Sequence, residues 1–490
     1  MTFRAIKRWF CCLFRRPSRM ANATTESIAT TQRITMSAAE EFADLKFKIE
    51  CSEIVLTKGN NPPIIVRGPG EIWQNVNGIL QFKLFVREES WPAFQQELNR
   101  PLPVGQLLED DDYFSLEAHD VAGPVWTAEN ILPSSRGGLC SGLAHGEIAE
   151  LFQSGPLPHE GKSDHITVKF RGRLNFPCNQ GTETVIRVGG RERHTSHTLN
   201  AAFADHGDYH FEVFHESEHT SVRLRLPVGT LRDTTWLRIH EALQFVLGEQ
   251  IAPMVVETYL SDVVRTRLRS PYQARGGGKI APPLYFRRLD DGGHVWRMFC
   301  TYFAHIFEHP DARWHPISRQ IGSIIEASAG TIDAEISALA IGVEGLIGDC
   351  FPNMAPPSPD LLADLGRILP LLTEAEVSQA TRSRVEGSLN AMRASRNSDK
   401  LRAFITNRNM VTGLYNSWGR LRHTGVHGGG LGGRAMAENM RLRDEVLFLM
   451  YSIVFDAISY FGPRTDYSTA GFPLRDWLAP PTSEPAQPQP

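Results

Sequence analysis

Residues 418–430 read WGRLRHTGVHGGG and close a segment that starts near Ser398 and sets Leu401, Phe404, Ile405, Leu414, Tyr415, Trp418 and Leu421 mostly three and four positions apart. That spacing predicts an amphipathic helix over Ser398–His423, packed by its apolar stripe against neighbouring helices. Arg420, Arg422 and His423 crowd its last turn, where cations suit the negative end of the helix dipole, and Gly425 offers a residue at which the chain can leave the helix. In an uninterrupted helix Arg422 and His427 would stand roughly 140° apart around the axis and about 7.5 Å apart along it. A reversal permitted by Gly425 would bring both to one atom. A permanent cation and a ring that titrates near neutrality, so placed, suit chemistry at a phosphate.

The surroundings of this segment agree. From Ala391 to Arg443 ten Lys or Arg face only Asp399 and Glu438, a net of +8 inside a chain of 490 residues whose formal total is −4. Such a concentration attracts a polyanion although the average charge does not. Gly428–Gly433 then runs into another apolar-periodic stretch, Ala435–Tyr460. The glycines read as a flexible loop, or as a phosphate cradle at a helix start.

Farther upstream, Val295–Phe307, Ile317–Ile347, Pro359–Leu372 and Glu374–Met392 are also helical in period, the second with a break near Gly330. Before residue 290 the period changes to two. Leu80, Phe82 and Leu84 alternate with Gln81 and Lys83; Tyr209, Phe211 and Val213 alternate with His210 and Glu212; Val222, Leu224 and Leu226 alternate with Arg223 and Arg225. These are strands of a largely antiparallel sheet, interrupted by one helix over Trp236–Leu247. The expected fold class is therefore α+β and multidomain: a β-rich domain over 45–290 followed by an all-α bundle over 294–463. Residues 1–44 read as a basic, polar, disordered leader, with acylation of Cys11 and Cys12 at a membrane surface as the alternative, and 464–490 as a proline-rich tail. Hydrophobic residues are 41% of the chain and charged residues 22%, which excludes collagen-like, coiled-coil and wholly disordered classes. Seven scattered cysteines without Cys-x-x-Cys suit a reducing cytoplasm.

The stretch Arg422-His423-Thr424-Gly425-Val426-His427, with Trp418 and Leu421 before it and apolar helices on either side, resembles the HEPN superfamily, in which an Arg, four to six residues and a His recur, often with a polar residue directly after the Arg. The order of domains resembles the ApeA-type branch, as do GEIWQNVNGILQFKLFV at 70–86 and WLRIHEALQFVLGEQIAP at 236–253. The resemblance covers about residues 45–463. It implies metal-independent endoribonuclease activity by 2′-hydroxyl attack, in anti-phage defence by abortive infection, with no cofactor and no catalytic metal. It also implies a homodimer through the helical domain, a phage-derived or small-molecule trigger at the β-rich domain, and a cytoplasmic protein. No run approaches the roughly 18 uncharged apolar residues needed to cross a bilayer, so stable membrane insertion is not expected. Carried over to this sequence, His427 is the acid/base and Arg422 the group that stabilises charge on phosphate. His423 orients either group or contacts RNA, and Arg420 is a candidate RNA-backbone contact. The alternative is a non-catalytic module that binds RNA or protein.

Other signals carry less. GPLPHEGKS at 155–163 has one residue too many between its glycines for a phosphate-binding loop, and Pro156 and Pro158 lack N–H groups. HGGG at 427–430 lacks the Gly-x-Ser-x-Gly elbow that a lipase needs. His194, His197, His206, His210, His215 and His219 would bind metal only if three of them converged; the even-numbered ones read as a solvated strand face.

Overall fold

The computed structural model describes residues 37–479 except 60–61, 101–107, 138–141, 157–163, 189–190, 199, 261, 272–276, 286–291, 311–312, 375 and 427–434. The alternating segments become β1 (Lys48–Lys58), β2 (Ile64–Gln74), β3 (Leu80–Val86), β4 (Phe114–Asp120), β5 (Val125–Ile131), β6 (Ser134–Gly137), β7 (Gly142–Ile148), β8 (Glu150–Pro156), β9 (His165–Arg171), β10 (Gly181–Val188), β11 (Arg191–Thr198), β12 (Ala201–His206), β13 (Tyr209–His215), β14 (His219–Arg225), β15 (Pro253–Tyr259) and β16 (Val263–Arg269). Fourteen of them form one sheet in the order β12-β13-β14-β9-β15-β16-β8-β5-β4-β1-β2-β3-β7-β6, while β10 and β11 pair with each other. Pairing is antiparallel throughout, as short connections between successive strands favour. Leu80, Phe82 and Leu84 of β3 are buried and the intervening Gln81 and Lys83 are not, so the period of two sorts side chains as expected.

The helices are α1 (Ala38–Ala43), α2 (Trp91–Leu98), α3 (Thr235–Leu247), α4 (Gly292–Phe307), α5 (Pro316–Ser328), α6 (Ile332–Cys350), α7 (Pro359–Glu374), α8 (Gln379–Ala391), α9 (Asn397–Asn407), α10 (Gly413–Val426) and α11 (Met436–Ala457). Thr331 caps α6 by accepting from the Ala334 N–H at 3.2 Å, which fixes the break foreseen near Gly330. Among the described residues no helix is long and apolar enough to cross a membrane.

Two apolar cores support these elements. One, under β1–β8, gathers Phe47, Ile54, Leu56, Phe82, Trp91 and Trp126. The other joins β9 and β12–β14 to α3 and to the carboxy-terminal helices without interruption. Phe211 of β13 meets Phe299 and Phe303 of α4 edge-on, with ring centroids 4.9 and 5.0 Å apart, a favoured aromatic geometry. The change of character near residue 290 is one of secondary structure and not of core.

Four expectations are corrected. Residues 38–43, expected to be disordered, form α1, which buries Phe42 against Phe47; residues 1–36 lie outside the described ones. The β-rich half contains α1 and α2 as well as the one helix foreseen there. Ser398–His423 is two helices: α9 ends where Asn409 takes a left-handed φ of 50° and Met410 N–H reaches back to Ile405 O at 2.9 Å, a C-terminal motif that asparagine tolerates. The tail does not begin at 464, since β17 (Gly462–Thr465) pairs with β18 (Leu474–Trp477). Arg464 lies between the Phe448 and Trp477 rings, 4.0 and 4.1 Å from their centroids, and Arg408 covers Trp477 at 4.2 Å. Residues 480–490 lie outside the described ones.

Candidate functional site

α10 is seated by Leu414, Trp418 and Leu421, all buried, and by the Trp418 indole N–H donating to Ala340 O of α6 at 3.0 Å. α6 in turn packs closely on α5, where Gly342 has no side chain; a Cβ there would lie 2.6 Å from Ile324 Cδ1 of α5. The helix does not stop at Gly425. Its backbone stays helical through Val426, so the expected reversal at that glycine is absent. His427 and Gly428–Gly433 lie outside the described residues, and no distance to Arg422 is assigned.

Arg422 is placed by a partner that nothing in the local sequence announces. Its Nε donates to Glu344 Oε2 at 2.7 Å and its Nη2 to Oε1 at 3.2 Å, across a separation of 78 residues. The guanidinium also lies over the Trp418 ring at 5.6 Å. A bidentate pair of this kind occupies one edge of the guanidinium and leaves the Nη1 donors and one Nη2 donor for another group.

Arg422 and Glu344 wall a cleft of about 450 Å³ whose other lining includes Ser395, Arg396, Asn397 and Ser398 at the start of α9. Asn397 donates its amide to Glu344 O at 3.1 Å and so pins α9 to α6. Gly348 allows this approach, since a Cβ there would lie 3.0 Å from the Asn397 amide nitrogen. Arg396 lines the cleft and Arg393 precedes it by three residues; both are exposed and have no ion pair among the described residues. Of the other residues singled out in sequence, His423 is exposed and Arg420 pairs with Glu438 of α11.

The basic concentration counted along the chain is partly cancelled in space. Arg408 pairs with Asp456, Arg420 with Glu438, Arg441 with Glu445, and Arg443 with Glu335 and Asp444. Among the described residues of the stretch Arg393, Arg396, Lys400 and Arg402 form no ion pair, and of these Arg396 lines the cleft together with the open edge of Arg422.

Among the described residues no three His, Cys, Asp or Glu converge to hold a cation, in the histidine-rich strands or elsewhere. His210 pairs with exposed Asp205 at 2.7 Å, whereas His215 is buried between Thr220 and the Phe176 carbonyl. The side chains of His194 and His197 and residues 157–163 lie outside the described set. Cys51, Cys300 and Cys350 are free thiols whose pKa burial pushes up to about 12, which makes them poor nucleophiles. Comparison with protein-family models, curated proteins and solved structures finds no match.

Proposed function

We propose that the protein is a metal-independent endoribonuclease of the HEPN type, cleaving RNA at the cleft beside Arg422. The observation that carries this reading is the Arg422–Glu344 pair at the end of α10, five residues before His427, which orients a cation with donors to spare toward a polar groove. In the reaction, the RNA 2′-hydroxyl loses its proton to a base and its oxygen attacks the adjacent phosphorus. The bond from phosphorus to the 5′-oxygen breaks, and that oxygen takes up a proton. His427 serves as acid/base and the free edge of Arg422 stabilises the charge on the phosphoryl oxygens. Arg393 and Arg396 hold flanking phosphates. The products carry a 2′,3′-cyclic phosphate and a 5′-hydroxyl.

Two copies act together, joined through the helical region. Support for this comes from α7, where Leu361, Leu362, Leu365, Ile368, Leu369, Leu371 and Leu372 fall within 16 residues and only Leu365 is buried. A helix so rich in aliphatic side chains needs a cover. α7 is net acidic through Asp360, Asp364 and Glu374 against Arg367, and α8 net basic through Arg382 and Arg384 against Glu386. A twofold axis that lays α7 on the partner's α8 matches both features. Anti-phage defence from the cytoplasm, triggered through the β-rich half, is the biological setting this reading implies.

The test is incubation of total RNA in EDTA with the wild-type protein, Arg422→Ala and His427→Ala, before and after exposure to phage extract. Cleavage by wild type alone, leaving cyclic phosphate ends, is the expected result; equal cutting by all three rejects the site. A second reading is a binding module without catalysis, in which the open edge of Arg422 and Arg396 serve docking alone. RNA retained without cutting by every variant would establish it.

A further inference from the structure

Arg396 lines the cleft with Arg422, and its side chain has no hydrogen-bond or ion-pair partner among the described residues. Its place is therefore set by the backbone that carries it. That backbone arrives from a stretch with no anchor of its own: α7 and α8 run from Pro359 to Ala391, and none of their residues belongs to either apolar core. α8 gives way to a tight turn, with the Ala394 N–H on Ala391 O at 3.4 Å, and α9 starts at Asn397. Arg396 is the N-cap of α9, and its side chain makes no capping bond.

Two ties hold this point, one on either side of Arg396. Ser395 Oγ lies 2.7 Å from Met354 O and 2.7 Å from Ala355 O, so its single proton is shared between two carbonyls. Met354 packs against the helical core, which makes those carbonyls a fixed reference. They converge on one atom where Ala355 takes a left-handed φ of 50°, a conformation that is costly for a residue with a Cβ and is kept where the surroundings impose it. On the other side Asn397 Nδ2 donates to Glu344 O at 3.1 Å, and the Glu344 carboxylate holds Arg422. Both cleft cations are thus referred to one residue of α6. Ser395, Arg396 and Asn397 all line the cleft.

We propose that Ser395 is a positioning residue for this cleft: its hydroxyl, clasped to Met354 and Ala355, holds Arg396 where it meets the phosphate next to the one at Arg422. The inference rests on the reading of the cleft as an RNA site and does not require cleavage. Ser395 acts only through Arg396. Without the clasp the guanidinium is still present, but its place is no longer fixed and its phosphate contact is lost. A neutral hydroxyl then governs one ionic contact, which a residue that merely closes a loop would not do.

The test is fluorescence anisotropy of the full chain with a labelled 2′-O-methyl RNA 12-mer, which has no 2′-hydroxyl to attack, over a series of salt concentrations. Arg396→Ala and Ser395→Ala should each weaken binding about tenfold, and each should take about 0.7 off the slope of log K against log salt, the share of one phosphate on a single strand. Ser395→Thr, which keeps the hydroxyl, should bind within about twofold of wild type. Adding Ser395→Ala to Arg396→Ala should cost nothing further, because the two act as one unit. Asn397→Ala, which cuts the other tie, should behave as Ser395→Ala does and serves if that variant fails to fold. Wild-type binding by Ser395→Ala beside weakened Arg396→Ala overturns the proposal and leaves the RNA reading standing. Weakening with an unchanged salt slope, or losses that add in the double variant, also overturns it. Absence of RNA binding by wild type at 50 mM salt removes the reading and the proposal with it.

Discussion

Arg422 donates two hydrogen bonds to Glu344, from Nε at 2.7 Å and from Nη2 at 3.2 Å, and the two side chains are 39% and 30% exposed. At that exposure the pair adds little to stability, about 1 kcal/mol or less. Its value lies in aim, because a guanidinium fixed along one edge presents the other in a defined direction. Glu344→Ala should therefore leave the thermal midpoint nearly unchanged while lowering RNA cleavage about 10- to 100-fold, and Arg422→Lys, which cannot form the fork, should fall at least as far. Single-turnover cleavage beside filter binding of the same RNA checks this. A Glu344→Ala protein that cuts at the wild-type rate would remove Glu344 from the site.

Stability should decline with acid. Burial, with His305 and His309 nearby, pushes the pKa of His315 down to about 3, and burial pushes His240 down to about 4. Unfolded histidines take up a proton near pH 6.5. Between that pH and the folded values the unfolded chain binds more protons, so stability present above about pH 6.5 is lost as the pH falls, by roughly 1.4 kcal/mol per unit for each ring. Thermal midpoints measured from pH 7.5 to 4.5 should drop steadily. His315→Asn, which keeps an acceptor for the Ile317 N–H that His315 Nδ1 now caps at 3.2 Å, should flatten the slope. Identical slopes for variant and wild type would count against this origin.

The carboxy-terminal hairpin should detach when its aromatic clamp is removed. Trp477 is 6% exposed and lies against both Arg464 and Arg408. Its replacement by Ala should cost about 3–5 kcal/mol if the hairpin unfolds with the whole, and less if it peels away alone. Limited proteolysis distinguishes the two: new cuts between 461 and 479 with an intact bundle indicate local release. Unchanged digestion and an unchanged midpoint would show that the clamp bears no load.

Self-association should depend on α7. Ile368 is 43% exposed and Leu371 62%, so Ile368→Glu with Leu371→Glu should leave circular dichroism unchanged and convert a dimer to a monomer in light scattering. RNA cleavage should fall with it. A wild-type chain that is monomeric at tens of micromolar would end the twofold arrangement.

Much of the architecture could be read from period alone, and the exceptions have identifiable reasons. β3, β13 and β14 alternate because one face of each is buried. α9 and α10 looked continuous because both present aliphatic residues at helical spacing, and the interruption depends on Asn409, a residue that gives a weaker signal than glycine. α2 escaped notice because Trp91 and Phe94 alone mark its buried face. At the candidate site, Arg422 was legible from its neighbours, but Glu344 was not: nothing around it distinguishes it from other acids on a helix, and only the fold brings it across 78 residues. The basic stretch misled for the same reason, since Glu335, Asp444, Glu445 and Asp456 neutralise it from outside or from its edge.

The apolar interior that runs from β9 and β12–β14 through α3 into α4 and beyond has a practical consequence for anyone dissecting the chain. A fragment cut near residue 290 would strip Phe299 and Phe303 of Phe211 and leave a greasy wound on each piece. Isolated helical fragments should aggregate, and exchanges of the β-rich portion should succeed only when the seam is moved upstream of β9, so that those strands travel with their helices.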